Sequence, residues 1–361
     1  MEGKRSLLIR ADVSTRMGTG HLSRCLTLAA GLKRHGHPVS FVTKPYDERL
    51  VATIERAGYS LHRLPLECGL EQDCIATIRL ARRANPKAAV LLDSYSIDES
   101  YQRAVKEADL NLIVIDDLAN HPAWADLVIN QNIYAQREMY SAQPYTRLLL
   151  GPRYALLRRE FAPLHEQQKS VPKQAGNILV TLGGSDPENQ TLKVMRALAS
   201  LDAPLEARVV LGASYRGHES LQPLLAQAGG RFSIYTDLPA MSPMMAWADL
   251  AISGGGSTCW ELACAGVPNS ILVLAQNQRK NAIGLSQAGI SVNLGWWEEV
   301  STGAIAEATA MLIADQGQRE AMSRAGRALV DGRGVERVVA EIERVSGVAG
   351  KRQGAEHAYE D

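Results

Sequence analysis

Two glycine-rich turns give the clearest chemical signals in this sequence of 361 residues. The stretch ISGGGSTCWELACAGVP, residues 252–268, predicts a strand, three glycines and then a helix that opens at Ser257 and Thr258. Backbone N–H groups at a helix start attract phosphate, and glycines such as Gly255 and Gly256 let the backbone approach phosphate oxygens closely. Ser257 or Thr258 could also be an ordinary N-cap, but three glycines exceed what a cap needs.

The second turn, TLGGSDPENQT at residues 181–191, joins another predicted strand to a helix and contains Gly183, Gly184 and Ser185. It could equally be a tight strand-to-helix connection without a ligand. If both turns lie at one edge of the same sheet, they flank a single diphosphate. Neither turn has the GxGxxG pattern of dinucleotide sites or the GxxxxGK[ST] pattern of P-loops, so neither a nicotinamide cofactor nor ATP is favoured.

A histidine follows a third glycine-containing loop, in RADVSTRMGTGHLSRC at residues 10–25. His21 stands almost at the start of a predicted helix, behind Gly18 and Gly20. A histidine there could be a catalytic base aimed at a ligand or a solvated helix-start residue. The residues of this loop alone leave both interpretations open.

Polar side chains also follow several other predicted strands. Each of them could simply satisfy a loop or a cap, but clusters at successive strand ends favour a binding site. Amides suit a sugar, which offers hydroxyl and N-acetyl groups to neutral donors and acceptors. The residues concerned are Asp93 and Tyr95 in LLDSYSID, Asp116 and Asp117 in VIDDLAN, Asn130, Asn132 and Tyr134 in INQNIYA, and Asn277, Gln278 and Asn281 in LAQNQRKNA.

Basic and aromatic residues near these motifs allow less specific interpretations. Arg10, Arg16 and Arg24 lie near the first loop and could form a solvated rim or neutralise a phosphate. The pair Trp296 and Trp297 is interpreted as core or rim packing rather than as a stacking platform.

Short apolar runs alternate with helical patterns along the chain, which predicts parallel, doubly wound α/β sheets. A polar segment with two prolines interrupts the pattern. We therefore expect an N-terminal Rossmann-like domain at residues 1–163, a linker at 164–176, a C-terminal Rossmann-like domain at 177–345 and a disordered tail at 346–361. The helical pattern of residues 318–345 belongs to the second domain in this prediction. Two such domains leave a cleft between the carboxyl ends of their strands.

The composition favours a small partner. Lys and Arg together number 39, as do Asp and Glu, so no bulk charge favours nucleic acid or an acidic membrane surface. The five cysteines lack CxxC spacing, which argues against a disulfide framework or a zinc site. The first apolar run stops at Arg10, too early for a signal peptide or a spanning helix. We expect a cytoplasmic protein without metal or cofactor, as a monomer or weak homo-oligomer.

Taken in order, these motifs resemble those of the UDP-sugar hydrolases of bacterial pseudaminic acid biosynthesis and of the related spore-coat polysaccharide proteins. The hydrolases remove UDP from UDP-2,4-diacetamido-2,4,6-trideoxy-β-L-altropyranose. The second half is further similar to inverting glycosyltransferases with the two-domain GT-B fold, which implies two Rossmann-like domains facing across a cleft. The resemblance rests on RADVSTRMGTGHLSRC, LLDSYSID, IDDLAN, INQNIYA, LGPRYALLRREF, TLGGSD, ADLAISGGGSTCWE and AQNQ.

The resemblance also implies roles for individual residues. It makes His21 the catalytic histidine, with Tyr95 and Asp93 beside it, and Glu261 the carboxylate that holds the ribose. The diphosphate falls on residues 255–258 and a sugar-side amide on Asn277. The match of YALLRREF implies that Tyr154, Arg158 and Phe161 shape the hinge and the sugar pocket. We add the UDP contacts Gly183, Gly184 and Ser185, and the sugar contacts Arg10, Asn132, Tyr154, Gln278 and Asn281.

The implied reaction is attack of water on the anomeric carbon with departure of UDP. The positive end of a helix dipole favours neutral imidazole, so we assign His21 as the general base. Donation from His21 to the leaving phosphate stays open, because a nearby diphosphate has the opposite effect. Two alternatives are a GT-B glycosyltransferase that uses a UDP-N-acyl-sugar donor and a nucleotide-sugar sensor without turnover. The first half shows no obvious apolar or basic patch for a lipid acceptor, which favours hydrolysis.

Overall fold

The computed structural model describes residues 6–12, 20–85, 88–167, 169–236 and 238–347. Arg16 and Gly18 lie outside these described residues, as does the predicted tail from residue 348 onward. Within the described ranges, no helix is both long enough and apolar enough to cross a membrane.

The first half of the chain forms a parallel sheet of buried apolar strands. The strands are β1 (Leu7–Ala11), β2 (Val39–Thr43), β3 (Ser60–Arg63), β4 (Ala89–Asp93), β5 (Asn111–Ile115), β6 (Leu127–Asn130) and β7 (Arg147–Leu150). They lie in the order β3-β2-β1-β4-β5-β6-β7. Every residue of β1 and β4 is buried, as expected of central strands covered by helices on both faces. The strand β3 was not expected, because its sequence SLHR is polar and mostly exposed at the sheet edge.

The helices of this half run between the strands. They are α1 (Gly20–Arg34), α2 (Glu48–Arg56), α3 (Leu70–Ala84) and α4 (Glu99–Glu107), and a short helix α5 (Phe161–Glu166) follows the last strand. The prediction of a helix that starts close to His21 is confirmed by α1, and Gly36 follows shortly after its end. Gly36 has φ +84°, the left-handed conformation that suits the residue after a helix.

The second half repeats this architecture with six parallel strands. They are β8 (Asn177–Thr181), β9 (Glu206–Leu211), β10 (Phe232–Thr236), β11 (Leu250–Gly254), β12 (Asn269–Val273) and β13 (Ser291–Trp296). Their order is β10-β9-β8-β11-β12-β13. The helices are α6 (Gln190–Ala199), α7 (His218–Gln227), α8 (Ser242–Trp247), α9 (Thr258–Ala265), α10 (Arg279–Gln287), α11 (Thr302–Ala314), α12 (Gln316–Leu329) and α13 (Gly334–Gly347). The predicted fold class, two Rossmann-like α/β domains, is confirmed.

The strand order reverses at one point in each sheet, and the candidate residues gather there. In the first sheet β1 lies between β2 and β4, and in the second sheet β8 lies between β9 and β11. The loops after such a pair of strands diverge to opposite faces of the sheet and leave a crevice at the carboxyl edge. His21 follows β1 and Asp93 ends β4, while the two glycine-rich turns follow β8 and β11.

The last helix packs differently from the prediction. The helical pattern of residues 318–345 is two helices, separated at Gly332, where φ is +74°. The second of them, α13, contributes Val335, Val338 and Val339 to the core that contains β1 and α1. Gly31 of α1 permits this contact, because a Cβ there would lie 2.4 Å from Cγ1 of Val335. The chain thus returns to the first sheet, so assigning residues up to 345 to the second domain is wrong for α13.

The predicted linker is also partly structured. Its first residues, 164–166, complete α5, and Leu164 is buried together with Phe161 in the core beneath α9. Arg327 of α12 donates to the carbonyl of Leu164 at 3.4 Å. The beginning of the segment therefore packs as part of the second half of the chain.

Candidate active site

A cavity of about 330 Å³ opens between the carboxyl edges of the two sheets. Both halves of the chain supply its walls. Most of the predicted site residues line it: His21, Tyr95, Asn132, Gly183, Gly184, Ser185, Gly255, Gly256, Ser257, Thr258, Asn277, Gln278 and Asn281. We refer to this cavity as the cleft.

The wall contributed by β11 and α9 is mainly backbone. Residues 255–257 carry the chain from β11 into the first turn of α9. The N–H groups of Cys259 and Trp260 donate to the carbonyls of Gly256 and Ser257, both at 3.0 Å, while the N–H groups of residues 256–258 precede the first helical hydrogen bond. Gln278 fixes this turn, because its Oε1 accepts from the N–H groups of Gly255 and Leu274, both at 3.0 Å. Ser257 does occupy the N-cap position of α9, as one interpretation expected, but its side chain makes no cap hydrogen bond. The first turn of α9 therefore points toward the cleft as an anion-binding surface.

The turn after β8 lies beside it. Gly183 has φ +94°, which favours glycine, and Gly212 at the end of β9 packs so closely that a Cβ there would lie 2.3 Å from the carbonyl oxygen of Gly184. The carboxylate of Asp186 accepts from the N–H groups of Gln190 and Thr191, at 2.8 and 2.7 Å. The Asp186 side chain thus satisfies the start of α6 and is largely committed to the protein.

The opposite wall is made of side chains. The Nδ1 atom of His21 lies 2.6 Å from Oδ1 of Asp93, and only 4% of His21 is exposed. His21 is therefore not a solvated helix-start residue, and this alternative is wrong. When Asp93 is ionised, the Nδ1–H group of a neutral His21 donates a hydrogen bond to its carboxylate. The Nε2 atom of His21, on the opposite edge of the ring, is then unprotonated.

Arg24 joins this pair to a second carboxylate. Its Nε donates to Oδ2 of Asp93 at 2.7 Å, and its Nη1 donates to both oxygens of Asp117, at 2.8 and 3.0 Å. Tyr95 donates to Oδ2 of Asp117 at 3.0 Å and packs edge-on against His21 with ring centroids 4.6 Å apart. Arg24 is 7% exposed, so its interpretation as a solvated rim residue is wrong.

Burial and charge shift the pKa values of three residues in this cluster, Asp93, Arg24 and Tyr95. Burial raises the pKa of Asp93, but the charges and hydrogen bonds of Arg24 and His21 outweigh it and hold that pKa well below its ordinary value. Burial lowers the pKa of Arg24, but Asp117 and Asp93 raise it well above its ordinary value. Burial and the charge of Asp117 raise the pKa of Tyr95, which is therefore a neutral donor near neutral pH. Two carboxylates thus face one guanidinium.

Amides line the floor of the cleft and link the two halves. Nδ2 of Asn281 donates to Oδ1 of Asn132 at 2.7 Å, and Nδ2 of Asn277 lies 3.4 Å from the hydroxyl of Tyr95. Asn132 and Asn281 are each 6% exposed. The predicted sugar amides therefore lie at the cleft, but two of them already bond to each other across the interface.

Two predicted sugar contacts are wrong. Arg10 is 1% exposed and is committed to Asp73 and Asp12, with Nη2 of Arg10 donating to Asp73 at 2.7 Å. Tyr154 packs against the core formed by α1 and α13, away from the cleft. The side chain of Arg10 extends from β1 to Asp73 of α3. In this buried layer its charge needs the ion pairs with the two carboxylates.

Glu261 also faces away from the cleft lining. Its Oε1 accepts from Nη2 of Arg158 at 3.3 Å, and the same Nη2 lies 3.1 Å from Glu160. Burial raises the pKa of Glu261, and the Arg158 charge acts in the opposite direction. The ribose contact assigned to Glu261 stays a prediction.

Several cleft residues were not among the predicted site residues. Arg24 could have been found from its i, i+3 spacing to His21, which places both on one helix face. Trp297 lines the cleft while packing on the second core, which agrees with the expected packing role. Asp117 and Tyr134 belong to the strand-end clusters that predicted a binding site, whereas no local pattern indicated Gln131 or Trp260. The additional lining residues include Arg24, Asp117, Gln131, Tyr134, Trp260 and Trp297.

The comparisons with known proteins agree with this architecture. Residues 177–334 match the glycosyltransferase family 28 C-terminal domain. In overall structure the chain is similar to MurG of Acinetobacter baumannii, with a TM-score of 0.70 and 17% identity over 94% of this chain and 99% of that one. It is also similar to the calicheamicin glycosyltransferase CalG4, with a TM-score of 0.66 and 17% identity over 97% and 100% of the two chains.

Three curated proteins are related in sequence. The uncharacterized protein MJ1062 of Methanocaldococcus jannaschii is 30% identical over 75% of this chain, which spans only 56% of that protein. The spore coat polysaccharide biosynthesis protein SpsG of Bacillus subtilis is 26% identical over 93% and 97% of the two chains. The UDP-2,4-diacetamido-2,4,6-trideoxy-β-L-altropyranose hydrolase of Campylobacter jejuni is 23% identical over 79% and 98%. The chain thus has the GT-B fold, matches the glycosyltransferase family 28 C-terminal domain over residues 177–334, and is distantly homologous to SpsG and to this UDP-sugar hydrolase.

Proposed function

We propose that this protein hydrolyses a UDP-activated diacetamido-trideoxy hexose at its anomeric C–O bond and releases UDP and the free sugar. The observation that carries the proposal is the His21–Asp93 pair, which faces the same cleft as the first turn of α9. A base and an anion-binding surface on opposite walls suit a reaction in which water attacks one side of a carbon while a diphosphate leaves from the other. The distant homology to the Campylobacter hydrolase supports UDP-2,4-diacetamido-2,4,6-trideoxy-β-L-altropyranose as substrate.

In the proposed step, Nε2 of His21 takes a proton from water as the water oxygen bonds to the anomeric carbon. The C–O bond to the diphosphate breaks, and UDP leaves with the bonding electrons. Arg24 carries one positive charge between the carboxylates of Asp93 and Asp117, so the cluster would stabilise the imidazolium that forms when His21 takes the proton. In the reverse role, a protonated His21 would donate to the leaving phosphate.

The leaving group is held by the opposite wall. The free N–H groups at the start of α9 and of the turn at residues 183–185 would donate to the diphosphate oxygens as negative charge develops on them. Gln278 holds the turn at Gly255, and the close packing of Gly212 on Gly184 holds the other turn. The N–H groups of the two turns therefore need little reorganisation during the reaction. Asn277 and Tyr95, 3.4 Å apart across the cleft, are placed to bond to the sugar's acetamido groups.

A second candidate function is transfer of the sugar to an acceptor. It is favoured by the match of residues 177–334 to the glycosyltransferase family 28 C-terminal domain and by the GT-B fold. In that case the hydroxyl of an acceptor takes the place of water, and His21 removes the proton from that hydroxyl. The two functions differ in whether UDP is released without an acceptor.

The test is UDP release from the diacetamido UDP-sugar in the absence of any acceptor. We expect multiple turnovers by the natural protein and a loss of about 100-fold to 10,000-fold in His21→Ala, the range for removal of a general base. His62→Ala is the matched control, since His62 is exposed on the edge strand β3. Release that needs an acceptor would favour transfer, and equal release by His21→Ala would refute the role of His21.

A further inference from the structure

A continuous series of hydrogen bonds crosses the interface and ends at His21. It begins on α10, where Nδ2 of Asn281 donates to Oδ1 of Asn132 at 2.7 Å. Nδ2 of Asn132 donates in turn to Oδ1 of Asp117 at 3.0 Å. Asp117 accepts from Nη1 of Arg24, and Arg24 donates to Asp93, the partner of His21.

Each member of this series is almost fully buried. Exposures are 6% for Asn281 and Asn132, 9% for Asp117, 7% for Arg24 and 0% for Asp93. In a buried site, water does not readily replace a lost partner, so a change at one bond alters the arrangement of the next. The bond between Asn281 and Asn132 is the member of the series that joins the second half of the chain to the first.

We propose that Asn281, Asn132 and Asp117 form an interdomain relay that holds Arg24 between its two carboxylates and so keeps Asp93 aligned on His21. This inference rests on the proposed function and adds that Asn281 is a positioning residue. Without Asn281, Asn132 would lack its partner from α10, and the histidine pair would lose its alignment.

The bonding pattern explains why amides occupy both positions. Asn132 donates to Asp117 and to Oδ1 of Asn130 at 2.8 Å, while its own Oδ1 accepts from Asn281. Only a side chain with both a donor and an acceptor can do this. Without the Asn132 donor, Oδ1 of Asp117 would depend on Arg24 alone, since Tyr95 donates to Oδ2. Arg24 would then move toward Asp117 and away from Asp93.

A simpler alternative is that Asn281 is only a sugar ligand. Its Nδ2 is already used by Asn132, while its buried Oδ1 has no partner among the described residues and could accept from a ligand or a water. A ligand role and a positioning role differ in one respect. Loss of a ligand contact does not disturb His21 before substrate binds, whereas loss of the relay does.

The experiment compares Asn281→Leu and the smaller, polar Asn281→Ser with Gln287→Ala, a control at the exposed end of the same helix. In ligand-free protein with ¹⁵N-labelled histidine, the Nδ1–H resonance of His21 is identified by its loss in His21→Gln. We expect this resonance to shift or broaden in both Asn281 variants and to stay unchanged in Gln287→Ala. Circular dichroism checks that each variant is folded.

Kinetics complete the test. We expect kcat for UDP release to fall about tenfold in Asn281→Leu with KM changed less than about twofold, as for a displaced catalytic group. An unchanged resonance together with a raised KM and an unchanged kcat would overturn the relay and leave a sugar ligand. If the natural protein releases no UDP, the proposed function fails, but the resonance still decides whether the relay exists.

Discussion

The two walls of the cleft are built by opposite means. The wall from the second half presents backbone N–H groups, shaped by Gly183, Gly255 and the first turn of α9. The wall from the first half presents side chains that converge from distant parts of the sequence, with His21 and Asp93 separated by 72 positions and Arg24 and Asp117 by 93. Under the proposed function, this difference is a division of labour, in which one wall would hold the diphosphate and the other would activate the nucleophile.

This division makes the walls sensitive to different changes. A backbone wall tolerates many side-chain substitutions but not an added Cβ where the chain is closely packed. A side-chain wall depends on every charge in its network, because removal of one leaves the others buried without a partner. Substitutions in the two walls should therefore affect binding and turnover separately.

The largest effect is expected from Arg24→Met. It leaves the buried carboxylates of Asp93 and Asp117 without their cation, so the free energy of unfolding should fall by about 3–5 kcal/mol, measured by urea denaturation. Arg324→Met is the matched control, because Arg324 is 73% exposed, and should change stability by less than about 0.5 kcal/mol. Equal stability of the two variants would show that the cluster does not hold the first wall together.

A smaller effect, confined to binding, is expected from Gly255→Ala. The added Cβ would lie 2.9 Å from Cβ of Gln278, which must shift and release the N–H groups it now fixes. We expect UDP to bind about tenfold more weakly by calorimetry, the equivalent of roughly one charge-assisted hydrogen bond. Gly303→Ala, on α11 with no atom closer than 3.8 Å, should bind UDP normally. Unchanged affinity in Gly255→Ala would contradict a backbone site for the diphosphate.

The smallest effect concerns the acid stability of the first wall. In the folded protein the pKa of Asp93 lies below its ordinary value of 3.8. The ionised carboxylate therefore stabilises the fold at any pH above 3.8, and this stabilisation is lost as the pH falls from 3.8 toward the folded-state pKa. The difference in unfolding free energy between the natural protein and Asp93→Asn should be constant between about pH 5 and 7 and should narrow below about pH 4. A difference that does not change with pH would mean that the pKa of Asp93 is the same in the folded and the unfolded protein, which would contradict a carboxylate stabilised by Arg24 and His21.

The sequence was most informative where local patterns decide the structure. Apolar runs and glycines indicated the strands, the α/β class and the turns at residues 183–185 and 255–258, because each depends on neighbouring residues only. Asp93 and Asp117 were candidates as strand-end residues, but their meeting at Arg24 was not predicted, since strand order alone brings both carboxylates to one helix. Arg10 was misassigned for the same reason: its partner, Asp73, is 63 positions away. The packing of α13 on the first sheet depends on Gly31, which carries no signal of its own.

The central claim is that the first wall delivers water to the anomeric carbon while the second holds the departing diphosphate. Incubation of the diacetamido UDP-sugar with the protein in oxygen-18 water, without an acceptor, tests it most directly, with mass spectrometry of the released UDP. We expect abundant UDP that carries no heavy oxygen, because the C–O bond breaks and the phosphate keeps its own oxygens. Heavy oxygen in the UDP would mean attack at phosphorus and would rule out attack at the anomeric carbon.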